Sequence, residues 1–482
     1  MPIFRYLVLH YAIMQYFSTR LSAERLNFSQ VVIAGLASDG GLYLPMQVPQ
    51  FSASQINEMQ KLSYQELFFV LTKEFIGNEI SDNDYRLIIN KSYQNFHHKA
   101  IAPIKQINSQ QFLLELFHGP TLAFKDFALQ FIGNLLNHFL QEDPQEIVII
   151  GATSGDTGSA AIQGCLNCKN SKIFILHPHQ KVSEVQRKQM TTVLAPNVFN
   201  LAVEGSFDDC QAMVKSMFLD RDFLKNRRLI AVNSINFARI MAQIVYYFYS
   251  ALRLGVNSSN PISFAVPTGN FGDIYAGFMA KKMGLPIAKL IIATNENDIL
   301  DRLIKSNDYS KDVLKKTFSP SMDIQVSSNL ERLIFNYYQY CNQENLVAEL
   351  MKNFAVSGTM SLSESVIKEI RKDFVSFKCS NQETIANIVK VNKETNEIID
   401  PHTATAVAAV NQYCQSSEYQ GEKLIILATA HPAKFSEVVM DSGIDKVDLP
   451  LFLNNLYQLP EKFTIIDNNI GKITKYIGEN LS

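Results

Sequence analysis

One lysine in this chain stands where it could act as a nucleophile. Lys125 lies in the run His118-Gly-Pro-Thr-Leu-Ala-Phe-Lys-Asp-Phe-Ala-Leu-Gln130, between Phe124 and Phe127, with Asp126 its only charged neighbour there. A solvated lysine stays protonated at neutral pH. Aromatic, partly desolvated surroundings disfavour the ammonium and free the amine for Schiff-base chemistry. Taken alone, the same residues also describe a snorkelling lysine at the start of a helix.

Three further turns carry groups that could meet a ligand. Gly151-Ala-Thr-Ser-Gly-Asp-Thr-Gly158 follows a strand-like run and opens a helical one. Glycines let the backbone curl close to a ligand, and a helix start presents free N–H groups suited to a carboxylate or phosphate. The loop is neither a Walker loop nor G-x-G-x-x-G. Pro267-Thr-Gly-Asn-Phe-Gly-Asp273 has the same setting and forms a second candidate anion cradle. In Ala428-Thr-Ala-His-Pro432, Thr429 places a hydroxyl at the carboxyl end of a strand, where open α/β sheets bind ligands. A helix cap is the other reading of Thr429.

These turns need a scaffold. From about residue 146, β-branched runs at 146–150, 172–176, 200–203, 262–266, 290–293 and 424–428 predict strands. Helical patterns over 157–168, 183–192, 207–218, 237–252, 274–283 and 433–440 alternate with them. Such alternation predicts α/β layers around mainly parallel sheets. Residues before about 100 are mixed, polar and helical, and predict a separate N-terminal domain. The 482 residues suffice for two or three domains. Lysine and arginine number 44 against 46 acidic residues, and no polybasic stretch asks for nucleic acid or an anionic membrane. Six cysteines are too few for a disulfide framework and fit a reducing cytoplasm. Cys165 and Cys168 form a single C-x-x-C with no second pair, so no metal site is expected there.

The assembled motifs resemble the threonine synthase family. Besides the lysine run, the chain carries Gly151-Ala-Thr-Ser-Gly-Asp-Thr-Gly-Ser-Ala160, Gln186-Arg-Lys-Gln-Met-Thr-Thr192, Gly269-Asn-Phe-Gly272 and Thr429-Ala-His-Pro-Ala-Lys-Phe435. Tyr16-Phe-Ser-Thr-Arg20 and Gly35-Leu-Ala-Ser-Asp-Gly-Gly-Leu-Tyr43 are similar to the family's opening. The likeness spans roughly residues 14–450 and is to the long, yeast- and enteric-type branch. Met14 sits just before the opening, so residues 1–13 are expected to be either an upstream extension or the result of a misplaced start codon. Asp400-Pro-His-Thr-Ala404 continues Thr405-Ala406, where the family often has Val-Gly.

The resemblance implies an α/β, fold type II, pyridoxal-phosphate-dependent enzyme. It implies an N-terminal domain at 14–100 and a catalytic region at 101–482. Within the latter, a small lobe at 134–239 and a large lobe at 101–133 plus 240–482 are expected, both open and mainly parallel. By resemblance, Lys125 forms the Schiff base with pyridoxal 5'-phosphate. Gly269, Asn270, Phe271 and Asp273 line its phosphate loop, and Thr429 faces the pyridine nitrogen. Ser154, Gly155, Asp156 and Thr157 hold the substrate's amino-acid end, and Lys181, Asn236 and Arg239 are assigned to its phosphate. No metal is implied. The activity implied is conversion of O-phospho-L-homoserine and water to L-threonine and phosphate, by γ-elimination and β-addition, in a cytoplasmic monomer. Two alternatives stay open: a phospho-lyase releasing 2-oxobutanoate, and a non-catalytic phosphate-binding module.

Overall fold

The computed structural model of the chain describes residues 14–141, 145–220, 223, 228–231, 234–445 and 447–481. The expected extension at 1–13 lies outside them. β1 (Tyr16–Ser18) and β2 (Tyr43–Pro45) pair antiparallel near the start. β3 (Ile104–Gln106) and β4 (Gln111–Glu115) follow. Then come β5 (Ile147–Ala152), β6 (Ser171–Pro178), β7 (Val198–Glu204) and β8 (Arg228–Ala231). The later strands are β9 (Ile262–Pro267), β10 (Ile287–Thr294), β11 (Phe374–Lys378), β12 (Lys423–Ala428) and β13 (Thr464–Asp467).

Two sheets organise the catalytic region. One has the order β13-β7-β6-β5-β8 and every neighbouring pair is parallel. The other has the order β11-β10-β9-β12-β4-β3, parallel except for the β3–β4 edge pair. Central strands such as β5 and β12 are buried along nearly their whole length. Helices cover both faces, which explains their continuous apolar runs. All six strands and all six helices expected from the alternation are present. The α/β layering read from the sequence therefore holds.

The division into lobes needs one correction. Residues 240–482 were assigned to the large lobe, but β13 pairs with β7 on the small-lobe sheet. The helix Ile470–Glu479 buries Ile473 and Ile477 against Val148, Ile150 and Leu201. An uncovered β7 would leave an unpaired edge, and the end of the chain supplies the missing strand. The N-terminal segment is also less separate than its composition implies. Its helices Tyr64–Ile76 and Asp82–Tyr93 share one core with the helix Lys125–Phe139. The rings of Phe68 and Phe131 lie 4.8 Å apart, and the Tyr93 hydroxyl donates to the Phe127 carbonyl at 3.0 Å.

A backbone-to-backbone crossing joins the Lys125 helix to the helix that follows β5. Gly133 of the Lys125 helix meets Gly164 of the helix Asp156–Cys165. A Cβ on Gly133 would fall 1.7 Å from the Gly164 carbonyl oxygen, and one on Gly164 would fall 2.3 Å from that of Leu129. Only glycine fits at either position. Cys165 and Cys168 sit buried beside this crossing, and the Cys168 thiol donates to the Gly133 carbonyl at 3.3 Å. Gly133→Ala or Gly164→Ala must force the helices apart, and overpacking of this kind costs about 1–3 kcal/mol or more. Urea unfolding is expected to show a lower midpoint with an unchanged slope for either variant.

Candidate active site

Lys125 is the first residue of its helix, and the turn before it is built from three local contacts. Leu122 is left-handed, at φ 62°. The Asp126 carboxylate accepts from the Thr121 amide and hydroxyl, both at 2.8 Å. Gly119 must lack a side chain because a Cβ there would meet Asp126 at 2.5 Å. Burial pushes the Asp126 carboxyl up to about 6, against the pull of the Thr121 hydrogen bonds. Asp126 thus shapes the turn and does not serve Lys125.

The charged partner of Lys125 comes from another helix, Asp156–Cys165. Asp156 Oδ2 lies 3.1 Å from Lys125 Nζ. Asp156 Oδ1 lies 3.0 Å from Lys434 Nζ and accepts from Gln186 Nε2 at 2.8 Å. Gly155, at φ 139°, turns the chain into this helix, and a Cβ there would strike Gln186 at 2.4 Å. Burial alone would push the Asp156 carboxyl up. The Lys125 and Lys434 ammonium groups outweigh it and hold the carboxyl well below the ordinary range. Burial lowers the Lys125 amine, and the opposing pull of Asp156 offsets this only in part. The aromatic setting read from the sequence is half present. The Phe124 ring centroid is 5.5 Å from Nζ, while Phe127 points into the core against Phe96 and Tyr246.

The Thr429 turn is locked to the Lys125 turn. Phe124 N donates to the Thr429 carbonyl at 2.9 Å, and His431 N donates to the Leu122 carbonyl at 3.0 Å. Ala123 and Ala430 form the bridge between them. His431, with its ring accepting from the Ala433 amide at 3.2 Å, is the cap of the short helix that follows. Thr429 is therefore not the cap, and it faces the same cavity as Lys125.

The second glycine turn forms the opposite wall. Phe271 is left-handed, at φ 62°, and no side chain caps the helix Gly272–Lys282 that it opens. Ser327 Oγ donates to the Gly269 carbonyl at 2.6 Å. The amide and side chain of Asn329 donate to the Asn270 carbonyl at 3.0 and 2.9 Å. With its carbonyls held from behind, the turn is shaped to offer amides to an anion. A Cβ on Gly269 would lie 2.7 Å from the Ser321 carbonyl oxygen. Asp273 Oδ1 accepts from Tyr246 at 2.5 Å and Tyr247 at 3.0 Å, and burial raises the carboxyl to about 6. The first glycine turn differs, because Thr153 Oγ1 already accepts the Gly155 and Gly158 amides at 2.9 Å each.

One cavity gathers Lys125, Ser154, Asp156, Thr157, Arg239, Gly269, Asn270, Phe271, Asp273 and Thr429. Burial lowers the Arg239 guanidinium to about 10. Gly155, Lys181 and Asn236 do not line it. Lys181 donates outward to the Gly205 carbonyl at 2.9 Å. Asn236 caps the helix Phe237–Arg253 and donates to the Val32 carbonyl at 2.8 Å. The polar run before that helix reads as a binding motif but is partly a cap. Its Ser234 lines the cavity instead.

Other lining groups escaped the sequence reading. His402 Nε2 accepts from the Ser321 amide at 3.2 Å, which assigns the ring proton to Nδ1 and to its 2.8 Å contact with Asp400. This fastens residues 320–324 along the cavity wall. The departure at Thr405-Ala406 is absorbed into the helix Pro401–Tyr413, where the Thr405 hydroxyl donates to the Pro401 carbonyl at 2.9 Å. Gln243 Oε1 and Asp273 Oδ2 are buried on the wall without a protein partner, as befits groups that a polar ligand completes.

The depressed Asp156 carboxyl has a pH signature. A carboxylate whose folded value lies below its unfolded value of about 3.9 adds stability above that pH and loses it as pH falls. Urea unfolding of cofactor-free protein between pH 3 and 5 is expected to show a shallower dependence in Asp156→Asn than in the wild type. The difference in slope approaches one proton, roughly 1.4 kcal/mol per pH unit, at the acid end of this range and fades towards pH 5.

Comparison with known proteins identifies the family. The family model "Threonine synthase N terminus" matches residues 15–93, "Pyridoxal-phosphate dependent enzyme" matches 99–356, and "Threonine synthase, C-terminal" matches 403–477. A threonine synthase of Pseudomonas aeruginosa is 50% identical over 97% of this chain and 98% of its own length. One from Saccharomyces cerevisiae is 42% identical over 95% and 96%. The crystal structure of PLP-bound threonine synthase from Brucella melitensis superposes with a TM-score of 0.92 at 44% identity, covering 97% of this chain and 99% of that one. This chain belongs to the threonine synthase family of pyridoxal-phosphate-dependent enzymes.

Proposed function

We propose that this chain converts O-phospho-L-homoserine and water to L-threonine and phosphate, with Lys125 as the residue that carries pyridoxal phosphate. The observation that carries this reading is the convergence in one cavity of a buried amine, an uncapped helix start behind a left-handed turn, and a neutral hydroxyl. These fit the cofactor at three points. Lys125 suits its aldehyde carbon, the 269–273 turn its phosphate, and Thr429 its ring nitrogen. Bound pyridoxal phosphate supplies an electron sink for charge that develops on the substrate's carbons.

The remaining work falls to side chains. Lys125, once released, is the base that takes the substrate's α-proton and later returns it. Its ammonium form is met by Asp156. Ser154, Thr157 and Asp156 line the cavity beside Lys125 and would meet the substrate's amino-acid end through their side chains. Ser234 and Arg239 stand farther along the cavity, and the guanidinium suits two-point contact with the leaving phosphate. Residues 320–324 form part of the wall against which the substrate would lie. No helix among the described residues is long and apolar enough to cross a membrane. The free cysteines suit the cytoplasm, which is the proposed location.

The deciding experiment is a product assay on purified protein with O-phospho-L-homoserine. Threonine released in step with phosphate supports the proposal. Phosphate with 2-oxobutanoate supports a lyase, and no phosphate release rejects both. Lys125→Ala is expected to abolish borohydride trapping of the cofactor and to lower turnover by about 10³-fold or more. Gly269→Ala is expected to displace the Ser321 backbone, lowering the urea midpoint, and to weaken cofactor binding roughly tenfold, about 1.4 kcal/mol, as read by absorbance titration.

A further inference from the structure

We propose that Lys434 is a positioning residue for this reaction, keeping Asp156 fixed and anionic beside Lys125 after the cofactor has drawn Lys125 away. The inference rests on the proposed function for Lys125 but concerns a residue that does not line the cavity.

Lys434 lies in the short helix after β12, in the large lobe, and its side chain is 0% exposed. Burying an ammonium is unfavourable unless every proton finds an acceptor, and an apolar side chain of the same length fills such a space more cheaply. Here all three protons are used. They go to Asp156 Oδ1 at 3.0 Å, the Thr121 carbonyl at 2.6 Å and Gln189 Oε1 at 3.0 Å. Gln189 in turn donates to the Thr121 carbonyl at 3.1 Å. The contacts join the Lys125 turn, the Thr429 turn and two helices of the small lobe.

The two oxygens of Asp156 divide the work. Oδ2 faces Lys125, whose nitrogen the cofactor claims. Oδ1 faces Lys434 and Gln186, away from the cavity. A bound cofactor would engage the Lys125 nitrogen and change its charge and position through the reaction, while Lys434 would stay an unchanging counter-ion. With Lys434 in place, Asp156 stays a carboxylate whether Lys125 holds a proton or has passed it on. Without it, a buried carboxyl with an intermittent partner takes up a proton itself. Lys434 also makes the tie between these elements independent of the state of Lys125. The other titratable groups facing this cluster are Asp126, Arg239, His402 and His431.

The test combines a stability cycle with a rate profile. In cofactor-free protein, Lys434→Met is expected to lower the urea midpoint of the wild type. In the Asp156→Asn background the same change is expected to raise the midpoint or leave it alone. An equal loss in both backgrounds means that Lys434 only fills space, and overturns the proposal. In loaded enzyme, the acid limb of kcat for Lys434→Met is expected at least one pH unit higher than in the wild type, with KM changed less than threefold. Lys434→Arg is expected to restore the wild-type limb. A uniform drop at all pH values, with the limb unmoved, overturns the proposal. If Lys434→Met does not fold, Lys434→Gln carries the same readings. Because the stability cycle uses neither substrate nor cofactor, its outcome is independent of whether wild-type enzyme releases threonine.

Discussion

The site is arranged around one buried carboxylate. Asp156 is withdrawn from water and set between Lys125 and Lys434, which come from two other elements of the chain. A charge in that position is tolerated only while its partners are within reach. The requirement propagates outward. Gly155 and Gln186 aim the carboxylate, the Thr121–Asp126 clasp aims Lys125, and the bridge between Ala123 and Ala430 carries Lys434 and Thr429 into register with it. Each of these is a local turn, yet all answer to one electrostatic condition.

Much of this could be read from the chain. Strands such as 147–152 and 423–428 are buried on both faces, so they announce themselves as continuous apolar runs. Several of the helices between them start at a serine or asparagine cap, such as Ser183, Ser206 and Asn236. The lysine run and the 269–273 turn were legible because their chemistry is contained in a few adjacent residues. Their joint occupation of one cavity supports that reading of them.

The parts that were hidden share a physical cause, which is that their partners are remote in sequence. Lys434 looks like any lysine until Asp156, far upstream, is placed on it. His402 is one polar residue after a proline, and its target is a backbone amide at Ser321. The stretch between the helices Ile299–Ser306 and Leu330–Tyr340 is largely irregular and reads as a simple connection. It braces the 269–273 turn through Ser327 and Asn329, and it is held in shape by Asn295, Asn297, Thr317 and Asp323. Such networks have no periodicity to detect. β13 is four residues long, too short for an alternating pattern to identify, so its return to the small lobe was invisible. Asn236 misled in the opposite way, because a capping asparagine and a ligand-binding one have the same appearance in a sequence.

The crossing at Gly133 and Gly164 has a mechanical consequence. Lys125 and Asp156 each lie eight residues from it, at the starts of two helices whose backbones touch. At 1.5 Å per residue that is a lever arm of about 12 Å on each side. A rotation of roughly 5° about the contact swings the Asp156 end by about 1 Å, enough to take a 3 Å contact out of hydrogen-bonding range. Any relative rotation of the two helices about that contact would therefore make or break the Lys125–Asp156 pair while leaving the crossing itself in place.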